Sequence, residues 1–137
     1  MRYLLDANAV IGLLKDAGSK LARRARRERP ADIAISAIVA HELFYGAFKS
    51  RRAAQNSALI DSLQFAVIEL DKEDARRAGE VRALLAAKGT AIGPYDGLIA
   101  GQAIARNLIL VTHNTVEFGR VPGLRVEDWQ GKMLKIG

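Results

Sequence analysis

Short apolar segments alternate with helical ones along the whole chain, and this alternation limits the fold more than any other feature. Five segments have the length and composition of strands: "RYLL" (2–5), "DIAIS" (32–36), "FAVIEL" (65–70), "LILV" (108–111) and "LRVEDW" (124–129). Helical segments separate them. Because strands that alternate with helices usually pair in parallel, the order predicts an α/β fold: a three-layer α/β/α sandwich with a central, mostly parallel sheet.

Six helices are predicted between the strands, and several carry end signals. Asn8 is the predicted N-cap of the first helix. Asp71, with Asp74 three residues later, predicts a capped fifth helix that ends at Gly89, and Pro94 opens the sixth. The predicted helices cover residues 8–14, 19–29, 37–50, 51–64, 71–89 and 93–107. No linker interrupts this pattern, so residues 1–137 are predicted to form a single domain.

Several classes of protein are excluded by what the sequence lacks. The chain has no cysteine, which excludes a disulfide framework and a zinc–thiolate site. It has no glycine-rich phosphate loop and no helix with paired histidines for zinc. The first residues do not have the pattern of a secretory signal, and no apolar run is long enough to span a bilayer. We therefore expect a soluble, cytoplasmic protein without membrane contact.

Three acids stand where apolar residues would be expected. Asp6 ends the first strand, between two apolar runs. Glu42 shares a helix face with Ile38 and Val39, and Asp96 lies in the first turn of its helix on a face that continues with small and apolar residues. Each acid alone has a structural explanation, such as helix capping. Charged residues are rarely buried unless they are paired or bind a metal, so the three together favour a shared site.

The predicted sheet brings further polar residues to the same edge. In parallel α/β folds, ligands bind beyond the carboxyl ends of the strands, where Asp6, Ser36, Thr112 and Asn114 are expected. No Lys or Arg occupies a matching core position, so the clustered carboxylates need another cation. Oxygen ligands without cysteine favour Mg²⁺ or Mn²⁺. The predicted ligand set is Asp6, Glu42 and Asp96, completed by either Asn114 or Glu117, with Thr112 orienting a ligand.

Basic residues are clustered in the sequence, which carries 21 Lys and Arg against 15 Asp and Glu. The segment 20–29 holds most of the excess. Clustered arginines suit a polyanion, because guanidinium groups pair with phosphates, although a solubilising helix face is an equal explanation on charge alone. Aromatic residues are few and scattered, so the sequence predicts no platform for stacking bases. The predicted RNA-binding residues are Arg23, Arg24, Arg26 and Arg27.

With these residues in place, the chain resembles the PIN-domain ribonucleases, and specifically the VapC toxins of bacterial toxin–antitoxin pairs. The resemblance rests on four segments in order: "LLDAN" (4–8), "ISAIVAHELFYGA" (35–47), "IGPYDGLIAGQA" (92–103) and "LVTHNTVEFGRVPGLRVEDW" (110–129). Each segment alone is a weak signal, but four in this order and spacing are specific. The resemblance covers nearly the whole chain.

The resemblance implies a Mg²⁺- or Mn²⁺-dependent endoribonuclease. Carried over to this chain, Asp6, Glu42 and Asp96 match the family's acidic core, with Asn114 where many members have Asp and Glu117 at a nearby acidic position. The chain departs from the family at Ala7, where Thr is usual. The resulting assignment is Asp6, Glu42, Asp96 and Glu117 as catalytic, the first three as metal ligands, and Asn114, Thr112, Ser36 and Asn8 as supporting residues.

The family also implies partners. We expect an RNA substrate, a cognate VapB-like antitoxin, and assembly as a homodimer that forms a hetero-oligomer with the antitoxin. The sequence does not separate a direct ligand role for Glu42 from a role as base. His113 is expected near the site, whereas His41 is interpreted as structural because it points to a different helix face from Glu42.

One alternative to the nuclease remains open, and a second is disfavoured by the sequence. The acids would also suit a structural ion in a non-catalytic module that binds nucleic acid or a partner. An aspartyl-phosphate phosphatase also begins with an Asp at the end of its first strand, but its chemistry usually uses a second Asp two residues later, where this chain has Asn8.

Overall fold

A five-stranded parallel sheet forms the centre of the computed structural model, which describes residues 1–130. Its strands are β1 (Tyr3–Leu5), β2 (Ile33–Ser36), β3 (Ala66–Ile68), β4 (Ile109–Val111) and β5 (Val126–Glu127). The strand order is β3-β2-β1-β4-β5, and all four neighbouring pairs are parallel. The predicted α/β sandwich is confirmed, and the sheet predicted as mostly parallel is parallel throughout.

Helices cover both faces of this sheet. They are α1 (Ala7–Lys15), α2 (Lys20–Arg26), α3 (Ala37–Lys49), α4 (Ala53–Asp61), α5 (Lys72–Ala87), α6 (Pro94–Ala105) and α7 (Thr115–Phe118), with a 3-10 turn at Pro30–Asp32. Right-handed crossovers place α1 to α4 on one face and α5 and α6 on the other. All six predicted helices are present, whereas the single turn of α7 is too short to give a periodic signal. No helix within residues 1–130 combines the length and apolar character that crossing a membrane requires.

The strand order reverses beside β1, and this reversal creates a crevice. From β1 the chain moves outward to β2 and β3, then returns through α5 and α6 to β4 on the other side of β1. The amide of Asp6 donates to the carbonyl of Val111 at 3.1 Å, so the ends of β1 and β4 are held side by side. Ligands of open α/β sheets bind at such a reversal. Asp6 therefore lies where the fold itself leaves room for a ligand.

The sheet supplies most of the core. Leu4 and Leu5 of β1 and Leu110 of β4 are completely buried, because helices cover the sheet on both sides. This is why the central strands read as continuous apolar runs rather than alternating ones. The first polar residues after these runs, Asp6 and Thr112, are also buried, at 8% and 1% exposure.

The helix cap predicted at Asn8 is wrong. The N-cap of α1 is Asp6, whose Oδ1 accepts from the amide of Ala9 at 2.8 Å, while Asn8 is exposed in the first helical turn. The helix starts immediately after β1, so no linker separates the strand from its cap. The predicted capping box of α5 is confirmed: Asp71 accepts from the amide of Asp74, and Asp74 accepts from the amide of Asp71.

Helices α5 and α6 are locked together by one close approach and one buried ion pair. A Cβ on Gly101 would lie 2.4 Å from the backbone of Ala78, so only glycine allows this spacing. Asp74, which is 1% exposed, accepts from Gln102 Nε2 at 3.0 Å and from Arg106 Nη2 at 2.9 Å. These contacts fix the position of α6, the helix that carries Asp96.

Substitution of Gly101 tests this packing. Gly101→Ala should lower the free energy of unfolding by about 2 kcal/mol, because the new methyl group overlaps the backbone of Ala78. Gly79→Ala, on the exposed side of α5 with open space around it, is the matched control. It should raise stability by about 0.5–1 kcal/mol through helix propensity. Equal urea midpoints for the two variants would contradict the proposed close contact.

Candidate active site

Asp6 is the best-anchored acid of the site. Its Oδ1 caps α1 through the amide of Ala9, and the Thr112 hydroxyl also donates to its carboxylate. Thr112 in turn accepts from the amide of Asn114 at 3.0 Å. Thr112 therefore lies beside Asp6, and its role in orienting a ligand stays a prediction. The net effect of the surroundings still raises the pKa of Asp6, chiefly through burial.

Glu42 is brought to Asp6 by α3, which begins directly after β2. Ser36, completely buried at the end of β2, caps α3 by accepting from the amide of Ile38 at 3.1 Å. Ser36 thus acts on the site by fixing the start of the helix. The pKa of Glu42 is raised by burial and by the negative charge of Asp6, which shows that the two carboxylates are close enough to repel.

Asp96 has the most strongly raised pKa of the acids. It lies in the first turn of α6, whose N-cap is Gly93, beside the carboxyl group of Glu117 on α7. Burial and the neighbouring carboxyl groups of Glu117, Glu42 and Asp6 together raise the pKa of Asp96 to about 7. Asp96 therefore keeps its proton up to about neutral pH.

The structure therefore brings together all four acids that the sequence singled out. Glu117 lies beside Asp96, whereas Asn114 is exposed and its side chain does not cap α7. Among residues 1–130, no three His, Cys, Asp or Glu side chains are arranged to hold one ion as they stand. The acids instead act on one another, which raises the pKa of Asp96.

An unpartnered oxygen indicates what this cluster lacks. Oε1 of Glu117 is buried and has no hydrogen-bond donor in the part of the chain that the structure describes. A buried carboxylate oxygen without a donor requires a proton or a cation. The donor set around it consists of carboxylate oxygens, which suit hard divalent ions such as Mg²⁺ and Mn²⁺. The residues present therefore fit a divalent metal in their chemistry.

Sequence reasoning missed a fifth acid, Asp128. It follows β5, and its negative charge raises the pKa of Asp6 while the charge of His113 lowers it. His113 Nδ1 lies 3.0 Å from Asp128 Oδ2, which confirms the expected position of His113 near the site. The rule that located Asp6 would have found Asp128 too, since both acids stand at the carboxyl end of a strand.

A basic groove of about 680 Å³ adjoins the acids. Asp128 lines it, together with Trp129 and the side chains of α2 and its C-terminal cap: Lys20, Arg23, Arg24, Arg26 and Arg27. Asp128 therefore belongs to both the groove and the surroundings of Asp6. All four predicted RNA-binding arginines lie in this one groove.

The arginines of the groove differ in how far their side chains are engaged by other residues. Arg24 pairs with Glu28 and Glu127, and its guanidinium lies 4.5 Å from the ring centroid of Trp129. Arg23 and Arg26 are exposed, and each donates to one backbone carbonyl of the turn before α2. Arg24 is thus engaged in packing α2 against the end of β5, while its neighbours keep donors that face the groove.

Comparison with known proteins places this architecture in a family. The sequence model of the family described as "PIN domain" matches residues 3–124. The chain belongs to the PIN-domain family. Within it, this PIN domain is 39% identical over 131 residues to the tRNA(fMet)-specific endonuclease VapC of Salmonella typhimurium, covering 94% of this chain and 98% of that protein. It is also 39% identical over 132 residues to ribonuclease VapC2 of Rickettsia felis, with the same coverage.

Solved structures agree with the sequence relatives. The DNA-bound VapBC structure from Salmonella typhimurium superposes with a TM-score of 0.89 at 39% identity, covering 94% of this chain and 98% of that one. VapBC2 from Rickettsia felis, bound to a DNA fragment from its promoter, gives a TM-score of 0.86 at 35% identity, with 94% and 99% covered. The PIN domain described here is therefore of the VapC type.

The raised pKa of Asp96 predicts a specific pH dependence of stability. The unfolded chain releases this proton near pH 3.8, whereas the folded protein holds it until about pH 7. The folded state therefore binds more protons between these values, and stability should fall as the pH rises through this range. Asp96→Asn cannot ionise and keeps a donor for Glu117, so without metal it should be more stable than wild type at pH 8 by about 1 kcal/mol or more.

Urea unfolding in EDTA at pH 5 and pH 8 measures this effect. Asp61→Asn, which neutralises an exposed acid at the end of α4, is the control and should show no such pH-dependent gain. If Asp96→Asn is no more stable than wild type at pH 8, the four acids do not repel one another as described.

Proposed function

We propose that this PIN domain is a divalent-metal-dependent endoribonuclease that acts as the toxin of a toxin–antitoxin pair. The observation that carries the proposal is the convergence of Asp6, Glu42, Asp96 and Glu117, from four different helices or their caps, at the reversal of the sheet. A protein that only needed stability would gain nothing from this repulsion. The VapC ribonucleases to which the chain is similar over nearly its full length support the same activity.

The proposed metal ligands are Asp6, Glu42 and Asp96, with Glu117 completing the set. The ion, Mg²⁺ or Mn²⁺, would replace the proton that Asp96 holds and would provide the cation that Glu117 Oε1 lacks. When bound, a divalent ion activates water and offsets negative charge on the phosphate. The chain's own contribution is to hold the carboxylates in place before substrate arrives.

Each acid has a distinct proposed part in the reaction. Asp6 is rigid, because the Ala9 amide and the Thr112 hydroxyl hold it. Glu42 has a raised pKa and two open roles, as a direct ligand or as the base that takes a proton from the attacking water. Both roles require the ionised carboxylate, so activity should fall as the pH drops through the raised pKa of Glu42.

The basic groove is the proposed path of the RNA backbone. Its arginines bind phosphates flanking the cleaved bond, and Asp128 connects the groove to the acids. The Salmonella relative is named for tRNA(fMet), so that RNA is the first substrate to test.

The proposed partners follow from the solved relatives, which are VapBC complexes. We infer a VapB-like antitoxin that forms a hetero-oligomer with this chain, a homodimer of the toxin, and action in the cytoplasm. Residues 1–137 are proposed to form one domain, of which the family match covers 3–124.

Asp96→Asn tests the catalytic site. The variant should fold but lose detectable RNA cleavage, because its amide cannot replace the carboxylate as a metal ligand. Mg²⁺ should raise the melting temperature of wild type by several degrees and that of the variant much less, since the ion binds only the folded acids. Asp61→Asn should match wild type in both assays. Cleavage of tRNA(fMet) and total RNA by Asp96→Asn at the wild-type rate would exclude this site.

The groove is tested by removing three positive charges together. The triple change Arg23→Gln, Arg26→Gln and Arg27→Gln should weaken RNA binding and reduce the slope of log K against log salt by about 2. The slope falls because fewer phosphates are neutralised and fewer counterions are released on binding. The matched control neutralises Lys72, Arg76 and Arg77 on α5, none of which lines the groove. Equal effects of the two triple variants would assign RNA binding to net charge alone.

A further inference from the structure

A second pocket beside the acids is lined by aromatic rings. It has a volume of about 360 Å³, and His41, Glu42, Tyr45 and Tyr95 line it. Glu42 also belongs to the acid cluster, because the charges of Glu42 and Asp6 act on each other. The pocket and the cluster are therefore contiguous.

The pocket is assembled from two helices by the residues that precede the acids. His41 precedes Glu42 on α3, and Tyr95 precedes Asp96 on α6. Their rings meet edge to face, with centroids 5.8 Å apart, and Tyr95 Oη lies 3.4 Å from His41 Nε2. The backbone that positions the two acids thus also positions these two rings.

The aromatic surfaces are available for contact. Tyr45 is 59% exposed and Tyr95 is 47% exposed, although rings of this size are usually buried. Lys49 Nζ lies 5.0 Å from the ring centroid of Tyr45, which adds a positive charge at the rim. The aromatic residues are scattered in the sequence, but folding brings residues 45 and 95 into one pocket.

We propose that this aromatic pocket binds one unstacked base of the RNA, next to the phosphodiester bond that is hydrolysed at the acids. This inference rests on the proposed ribonuclease function and identifies single-stranded RNA as the class of substrate. Single-stranded RNA is recognised by stacking splayed bases on aromatic rings and by hydrogen bonds to base edges. Tyr45 and Tyr95 supply the faces, and His41 and the tyrosine hydroxyls supply polar groups for the edges.

The chemistry of the pocket favours a base over an apolar protein side chain. An apolar side chain would cover Glu42, His41 and two hydroxyl groups without satisfying them, and each buried unsatisfied group is costly. A base has donors and acceptors on its edge and carries no charge that Glu42 would repel. The phosphate attached to the base would then lie toward the acids, and Lys49 is placed to contact a neighbouring phosphate.

The test measures base stacking separately from cleavage. The probe is a single-stranded RNA of about ten nucleotides that carries 2-aminopurine at one position at a time. It is titrated with the full-length Asp96→Asn protein, which should bind RNA without cutting it. One position should show quenched fluorescence. Adding Tyr95→Ala should remove that quenching and weaken binding about tenfold, whereas adding Tyr95→Phe should preserve the quenching and weaken binding only about threefold, because it loses only the hydroxyl contact. Phe48→Ala, an exposed ring on α3 that does not line the pocket, should match the parent protein.

An abasic nucleotide completes the test. With the base removed at the quenched position, the parent protein and the Tyr95→Ala variant should bind RNA equally, because there is no longer a base to stack. Equal weakening by Tyr95→Ala with and without the base would overturn the proposal. The proposal would also be overturned if Tyr95→Ala left RNA binding unchanged but lost binding to the antitoxin, because the pocket would then be a protein contact.

The outcome is separable from that of the proposed function. Tyr95-dependent quenching supports the base pocket whether or not the wild-type protein cleaves the RNA. Cleavage by the wild-type protein without any quenched position would leave the nuclease intact and overturn the base pocket.

Discussion

Repulsion between carboxylates at the reversal of the sheet is the constraint on which the rest of this structure depends. Burial and neighbouring negative charges raise the pKa values of Asp6, Glu42 and Asp96, so the folded protein is less stable at neutral pH than it would be with neutral residues there. A protein of this size is stable by only a small margin, so such a cluster persists where a cation and a reaction make use of it. Without a metal ion, the proton that Asp96 holds up to about pH 7 offsets part of this repulsion.

The fold offsets this repulsion through hydrogen bonds, helix caps and helix packing that hold the acids, or the helices that carry them, in position. Asp6 is held by the first turn of α1 and by Thr112, α3 is fixed by its cap at Ser36, and α6 is fixed by its close packing on α5. The cost of bringing the charges together is therefore met by packing and capping away from the site. The same arrangement sets the two surfaces beside the acids: the basic groove reaches them through Asp128, and the aromatic pocket through Glu42.

The sequence predicted the architecture and the acids because both leave local signals. Strands covered on both faces read as apolar runs, and an acid that interrupts such a run stands out, as Asp6 does. Contacts between distant elements leave no such signal. The position of Glu117 beside Asp96 depends on one turn of helix. The shared pocket of Tyr45 and Tyr95 depends on how α3 and α6 pack. The cap predicted at Asn8 failed because the strand runs directly into the helix, which moved the cap to Asp6.

The most direct measurement of the central claim is the number of protons released when metal binds. Calorimetric titration of the protein with Mn²⁺ or Mg²⁺, in two buffers of different ionisation enthalpy, gives this number at each pH. Because Asp96 has a pKa of about 7, binding should release close to one proton at about pH 6 and almost none at about pH 8.5. Metal binding without proton release at the lower pH would show that the ion does not replace a proton held by Asp96, and that the acids do not converge on it.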